Sequence, residues 1–281
     1  MLVKSIVEMR KIVKGWRREG HTVGYVPTMG ALHEGHQSLM ERAVTENDRT
    51  VASVFVNPIQ FGPNEDFDAY PRDLEKDMAL CEKVGIDVVF APEAGTMYFS
   101  DKAATVRISG LTDVLCGSKR PGHFDGVCTV VSKFFNIITP DKAYFGQKDA
   151  QQVAVIKRMV RDLNFDVEVV PCSIIREGDG LAKSSRNAYL SAKERQAALV
   201  LSKSLQMAKE VLDKGERDAS LVKGAMLSCI HQEPLAKIDY AEVVDSENLQ
   251  SIQGKITKSV LIPIAVYIGK TRLIDNIIYT I

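Results

Sequence analysis

The chain has 281 residues, 45% of them apolar, with 36 basic and 36 acidic side chains and a formal net charge of zero. That length allows a sizeable core and two domains, and the balanced charge argues against a nucleic-acid-binding surface. Five isolated cysteines (81, 116, 128, 172, 229) include no Cys-x-x-Cys pair, which speaks against a disulfide framework or structural zinc and fits a reducing cytoplasm.

Residues Met1 to Arg10 mix charges into an apolar pattern without a long apolar core, so they read as an amphipathic helix and not as a signal peptide. No apolar run approaches the roughly 20 residues needed to span a bilayer, so no membrane partner is expected. Helical spacing runs over 5–19, a short strand over 23–26, a helix over 34–46, a buried strand over 50–56, a helix over 72–84 and a strand over 87–91. A helix over 126–138, a strand over 143–145, a helix over 150–163 and strand-like runs at 167–170 and 174–175 follow. Such alternation predicts a parallel sheet covered by helices on both faces, with ligands beyond the carboxyl ends of its strands. After Arg186 come helical stretches at 192–214 and 219–230, then strand-like runs at 238–244, 260–268 and 272–278. These predict a smaller α+β unit with an antiparallel sheet. The fold class is therefore α/β, with an N-terminal domain over 1–177 and a C-terminal domain over 178–281. Glu177-Gly178-Asp179-Gly180 reads as the flexible linker between them.

The most informative segment is Pro27-Thr28-Met29-Gly30-Ala31-Leu32-His33-Glu34-Gly35-His36. It places two imidazoles at a helix start, where unpaired N–H groups and the helix dipole favour an anion such as phosphate. A capping, solvated histidine pair would also account for it. Zinc does not suit it, because the two histidines are three residues apart with Gly35 between them, and the turn is not a Walker loop. A second basic cluster follows in Lys183-Ser184-Ser185-Arg186, whose donors suit a polyphosphate. Asn57 and Gln60 leave a buried strand in a turn, offering amides to hydroxyl and carboxylate groups. Arg120-Pro121-Gly122-His123 is a basic glycine-bearing loop before a helix. In Gly146-Gln147-Lys148-Asp149 a strand delivers Lys148 to a helix start that Asp149 is expected to cap, with Gln152 one turn on.

Taken together and in this order, the segments resemble the pantoate–β-alanine ligase family of the His-x-Gly-His nucleotidylyltransferase superfamily. The motifs are Pro27-Thr28-Met29-Gly30-x-Leu32-His33-x-Gly35-His36, Phe55-Val56-Asn57-Pro58-x-Gln60-Phe61, Arg120-Pro121-Gly122-His123-Phe124, Phe145-Gly146-Gln147-Lys148-Asp149 and Asp179-Gly180-Leu181-Ala182-x-Ser184-Ser185-Arg186-Asn187. The likeness extends to Arg272-Leu273-Ile274-Asp275-Asn276. It implies a Rossmann-like N-terminal domain that binds ATP and pantoate, a C-terminal lid domain, and a cytoplasmic homodimer. It implies a ligase that joins (R)-pantoate to β-alanine through pantoyl adenylate, giving pantothenate, AMP and pyrophosphate, with Mg²⁺ carried on ATP and no protein metal ligand assigned.

The same resemblance implies that Met29, Gly30, Ala31, Leu32, His33, Glu34, Gly35 and His36 line the ATP site. His36 then matches the proton donor, with His33 and Lys148 beside it in catalysis. Gly146, Gln147, Lys148, Asp149, Ile175, Lys183, Ser184, Ser185 and Arg186 complete the nucleotide contacts. Gln60, Gln152 and Asn57 hold pantoate, and Gln60 later holds β-alanine. Lys183 stands where the family often has a large apolar residue, which leaves open whether its ammonium or its backbone is used. Two rival readings are a nucleotidylyltransferase that stops at a dinucleotide and a nucleotide-sensing module without turnover.

Overall fold

The computed structural model describes residues 1–63 and 65–281. Six strands, β1 (Leu2–Val3), β2 (Val23–Thr28), β3 (Arg49–Val54), β4 (Val88–Phe90), β5 (Lys142–Gly146) and β6 (Glu168–Cys172), form one sheet in the order β1-β4-β3-β2-β5-β6. Every pairing in it is parallel. Central strands such as Val23–Val26 are buried on both faces, which is why they read as continuous apolar runs and not as alternating ones. The helices between strands are α1 (Ile6–Arg18), α2 (Glu34–Glu46), α3 (Leu74–Val84), α4 (Ala94–Met97), α5 (Leu115–Lys119), α6 (His123–Ile138) and α7 (Ala150–Asp162). α6 is apolar on nearly every face and runs through the main core, so it supports the sheet from within.

The winding reverses between β2 and β5. From β2 the chain moves outward through β3 to β4, and from β5 it moves the other way to β6. A crevice therefore opens beyond the carboxyl ends of β2 and β5, which is where doubly wound sheets bind ligands. The histidine turn follows β2, and Lys148 follows β5.

The second unit contains α8 (Ala192–Ala197), α9 (Leu199–Asp213) and α10 (Ala219–Ile230) over an antiparallel sheet. Its strands are β7 (Ala236–Ala241), β8 (Val244–Asp245), β9 (Val260–Ile268) and β10 (Thr271–Tyr279), with β9 central. It has a core of its own, while Val244, Leu249 and Leu261 join the core of the parallel sheet.

Several sequence expectations need correction. Leu2–Val3 is an edge strand beside β4, too short for periodicity to register before α1 begins. Residues 174–175 are not a strand: the ladder with β5 ends at Cys172, and the Ile175 carbonyl instead accepts the Lys183 N–H at 2.9 Å. The 192–214 helix is divided at Ala198. The segment at 177–180 is a hydrogen-bonded turn. Arg176 bridges Ala182, the Glu177 N–H donates to Leu181 at 2.8 Å, and Gly180 supplies the left-handed residue at φ +97°.

Candidate active site

One pocket lies at the crevice. Its wall includes Met29, His33, Gly35 and His36 from the first turn, Asn57 and Gln60 from the second, and Gly146, Lys148, Asp149 and Gln152 from the third. Ile175 and Lys183 to Arg186 close it from the side of the second unit. Gly30, Ala31, Leu32, Glu34 and Gln147 lie outside this lining. The pocket adjoins a groove of about 740 Å³ bordered by both units.

The first turn is fixed from behind. Gly30 and Ala31 are both left-handed, at φ +82° and +51°. The buried carboxylate of Asp77, on α3, accepts the Ala31 N–H at 3.0 Å and the Leu32 N–H at 2.8 Å. A Cβ on Gly30 would meet Asp77 Oδ2 at 2.7 Å, so only glycine fits there. Burial pushes the Asp77 carboxyl up, and the two N–H donors draw it back.

The histidines cap α2 themselves. His33 Nδ1 accepts the Gly35 N–H at 3.1 Å, and His36 Nδ1 accepts the His33 N–H at 3.3 Å. Both imidazoles thus use Nδ1 as acceptor, which assigns the proton to Nε2 in each neutral ring. The ring centroids are 4.2 Å apart. Burial lowers the His36 pKa to about 3, assisted by the charges of His33 and Lys148. Burial and then Lys148 lower His33 to about 4. Near neutral pH both rings are therefore uncharged, and His36 offers a neutral Nε2–H donor. The expected free N–H groups at this helix start are in part consumed by the rings.

The basic groups are already partnered. Arg186 forms a bidentate pair with Asp66 at 3.1 and 2.9 Å, and Arg120 does so with Glu65 at 2.7 and 2.5 Å. Lys183 Nζ lies 2.8 Å from Glu177 and 3.2 Å from Glu34. Lys148 Nζ has Asp149 at 3.9 Å. Asp149 occupies the N-cap position of α7, but its side chain makes no capping bond, contrary to expectation. His123 joins this cluster through Arg120 at 3.0 Å and the Gln60 carbonyl at 2.9 Å, and burial followed by Arg120 lowers its pKa to about 4.

In the same pocket Asn57 is buried and donates to Gln60 Oε1 at 3.0 Å and to the Gly126 carbonyl at 3.1 Å, while Tyr98 donates to Asn57 Oδ1 at 2.8 Å. Gln60 Nε2 points at Met29 Sδ, 3.0 Å away. A thioether is a weak acceptor, so a stronger oxygen acceptor could displace it. Gly126 allows this approach: a Cβ there would lie 2.5 Å from the Ile59 carbonyl.

Sequence reasoning did not identify Asp77, Glu65, Asp66 or Asn276 as site-supporting residues. Each acts across a long stretch of chain, and only Asn276 falls within one of the motifs, where its partner is not visible. Arg120 and His123 were noted as a loop but given no role.

A doubly wound parallel sheet, its crevice lined by a capped histidine pair, a lysine and a serine–arginine loop, defines a nucleotide-using enzyme. Residues 1–278 match the family model described as pantoate-beta-alanine ligase. The chain is 61% identical to the pantothenate synthetase of Clostridium acetobutylicum over 280 residues, covering 100% of this chain and 99% of that one. It superposes on the crystal structure of pantothenate synthetase from Thermus thermophilus with a TM-score of 0.93 and 44% identity, covering 98% of each chain. The Francisella tularensis pantoate-beta-alanine ligase, complexed with beta-gamma ATP and beta-alanine, gives a TM-score of 0.78 at 32% identity, with 99% of this chain and 97% of that one covered.

The chain belongs to the pantoate-beta-alanine ligase family. It is a ligase that condenses pantoate with β-alanine at the expense of ATP.

Proposed function

We propose that the condensation runs through pantoyl adenylate. A pantoate carboxylate oxygen attacks the α-phosphorus of ATP, the α–β phosphoanhydride bond breaks, and pyrophosphate leaves. The β-alanine amine, having lost its proton, then attacks the acyl carbon, and AMP departs with the bonding pair. What supports this route is a single pocket whose lining includes both the cationic and hydroxyl donors of Lys148, Ser184, Ser185 and Arg186 and the Asn57–Gln60 amide pair. An acid bound at the amides and a nucleotide bound at the cations would share that pocket.

Lys148, Ser184, Ser185 and Arg186 would hold the phosphates, acting by position and charge. The Nε2–H groups of His33 and His36 would donate to phosphate oxygens as negative charge moves toward pyrophosphate. Asn57, Gln60 and Gln152 would orient pantoate, Gln60 exchanging Met29 Sδ for a substrate oxygen. The ATP site would extend to Met29–His36, Gly146–Asp149 and Ile175. Among the described residues no group of three or more His, Cys, Asp or Glu side chains is arranged to hold a metal ion. Mg²⁺ would arrive on the nucleotide, held by phosphate oxygens, and would neutralise their charge beside Ser184 and Ser185, whose hydroxyls are neutral oxygen donors in the lining. Arg186 must leave Asp66 to grip phosphate, so the acidic loop acts as a resident counter-ion that ATP displaces. Residues 178–281 would close as a lid over the adenylate and exclude water. Among the described residues no helix is long and apolar enough to cross a membrane. A cytoplasmic homodimer is the proposed working form.

The test measures pyrophosphate release from MgATP and (R)-pantoate, with and without β-alanine. ATP–pyrophosphate exchange with pantoate alone, and sustained AMP formation only with both acids, is the expected result. Exchange that requires β-alanine would rule out a pantoyl adenylate formed before the amine enters.

A further inference from the structure

We infer that Asn276 is a positioning residue for Lys148, so that docking of the antiparallel sheet sets the phosphate grip of the parallel one. The inference rests on Lys148 contacting phosphate, as proposed above.

Lys148 sits in a single 3₁₀ turn, Gln147–Asp149, between β5 and α7. That turn has no local clasp, since the Asp149 side chain leaves the helix start uncapped. Its clasp comes from 128 residues downstream. Asn276 Nδ2 donates to the Gln147 carbonyl at 3.0 Å and to the Lys148 carbonyl at 2.9 Å. Both amide protons are thus spent on two consecutive peptide units, and these flank the Lys148 Cα.

β10 is built to present this amide. Residues two apart share a strand face. Arg272 reaches Cys116 Sγ at 3.5 Å, Ile274 packs against the core of the parallel sheet, and Asn276 follows on that side. Opposite Asn276 in the ladder stands Pro263, whose carbonyl faces away and accepts the Glu242 N–H at 3.1 Å. The Asn276 N–H points away from β9 and donates to Asp275 Oδ1 at 2.8 Å, and Arg176 grips that carboxylate at 2.7 and 3.0 Å. The ladder runs on here without a register shift, and a charged pair anchors this stretch of β10 as well.

The amide also comes at a cost. Asn276 is 3% exposed, and its Oδ1 finds no partner among the described residues. An unpaired buried oxygen is unfavourable, and an apolar side chain would fill the space without it. Two donors aimed at the carbonyls around Lys148 give the asparagine a purpose that packing does not. Without them the turn can rotate its peptides, and a long side chain magnifies any such rotation at its ammonium.

The experiment titrates MgATP into the parent, Asn276→Ala, Lys148→Ala and the double variant, with thermal unfolding as a control. Each single variant should weaken ATP at least about tenfold, and Asn276→Ala should add no more than about twofold on top of Lys148→Ala. Asn276→Ser keeps one donor and should fall between parent and alanine; it carries the same cycle if the alanine variant does not fold. Unchanged affinity in Asn276→Ala beside a weakened Lys148→Ala overturns the inference, as does a full multiplicative loss in the double variant. Unchanged affinity in Lys148→Ala overturns the phosphate reading itself, and this inference with it.

Discussion

Replacing Asp77 by asparagine probes how the catalytic turn is held. The carboxylate accepts two consecutive N–H groups, from Ala31 and Leu32, at 3.0 and 2.8 Å, and it is 2% exposed. A hydrogen bond to a charged group contributes about 1.5–3 kcal/mol, and a stranded buried N–H costs about 1–3 kcal/mol. Asparagine keeps one acceptor and turns an NH₂ toward the other N–H. Part of that loss is offset, because the buried charge no longer has to be desolvated. A net destabilisation of roughly 2 kcal/mol follows, or about 3–4 °C in the unfolding midpoint of a chain this size. The effect on rate should be larger than the effect on stability. Gly30 and Ala31 hold left-handed conformations beside this carboxylate, and His33 and His36 follow directly. A shift of about 1 Å in reacting groups costs on the order of 10²-fold. ATP–pyrophosphate exchange with pantoate, alongside thermal unfolding, reads both. Exchange within twofold of the parent would refute the role given to Asp77, whatever happened to the midpoint.

Gly126→Ala should push the Gln60 turn off α6, destabilise by about 1–3 kcal/mol and raise KM for pantoate more than KM for ATP; equal changes in both would contradict the assignment of Gln60 to pantoate. Lys183→Met should change turnover only a few-fold, since its ammonium is committed to Glu34 and Glu177, whereas Arg186→Ala should cost about 10²-fold or more, as typical for one transition-state donor. Comparable losses in the two would show that the Lys183 charge is used. In the free enzyme, the ring signals of His33, His36 and His123 should stay in their neutral form from pH 8 down to pH 5. Their folded pKa values of about 4, 3 and 4 lie below the unfolded value near 6.5. The unfolded chain therefore binds more protons, and the stability these rings contribute is complete above pH 6.5 and is lost as pH falls through the folded values. NMR titration with selective ¹⁵N-histidine labelling checks this, and a midpoint near 6.5 for His36 would contradict its burial.

Much of this architecture was legible because local rules and tertiary needs agree. α2 begins where His33 caps it, and β9 and α10 fall on the residues that apolar patterning selects. The antiparallel second unit was readable from the order of its elements. The failures have a common physical origin. Leu2–Val3 is a strand only because β4 lies beside it, and 174–175 looks like a strand but is held by Lys183 instead. The charge states were equally hidden. A histidine pair at a helix start suggests titration near neutrality, but the backbone N–H on each Nδ1 and the burial of the rings reverse that expectation. The supporting residues were least visible of all, because Asp77 stands in no motif and Asn276, though it ends the Arg272–Asn276 motif, acts on a turn 128 residues away. Asp77 holds the turn after β2, and Asn276 holds the turn after β5. Each of the two turns bordering the crevice is thus fixed by one buried polar side chain from a distant element, a carboxylate where backbone donors need an acceptor and an amide where backbone carbonyls need donors. The motifs supply groups for the chemistry, while their placement depends on pairings that form only when the whole chain has folded.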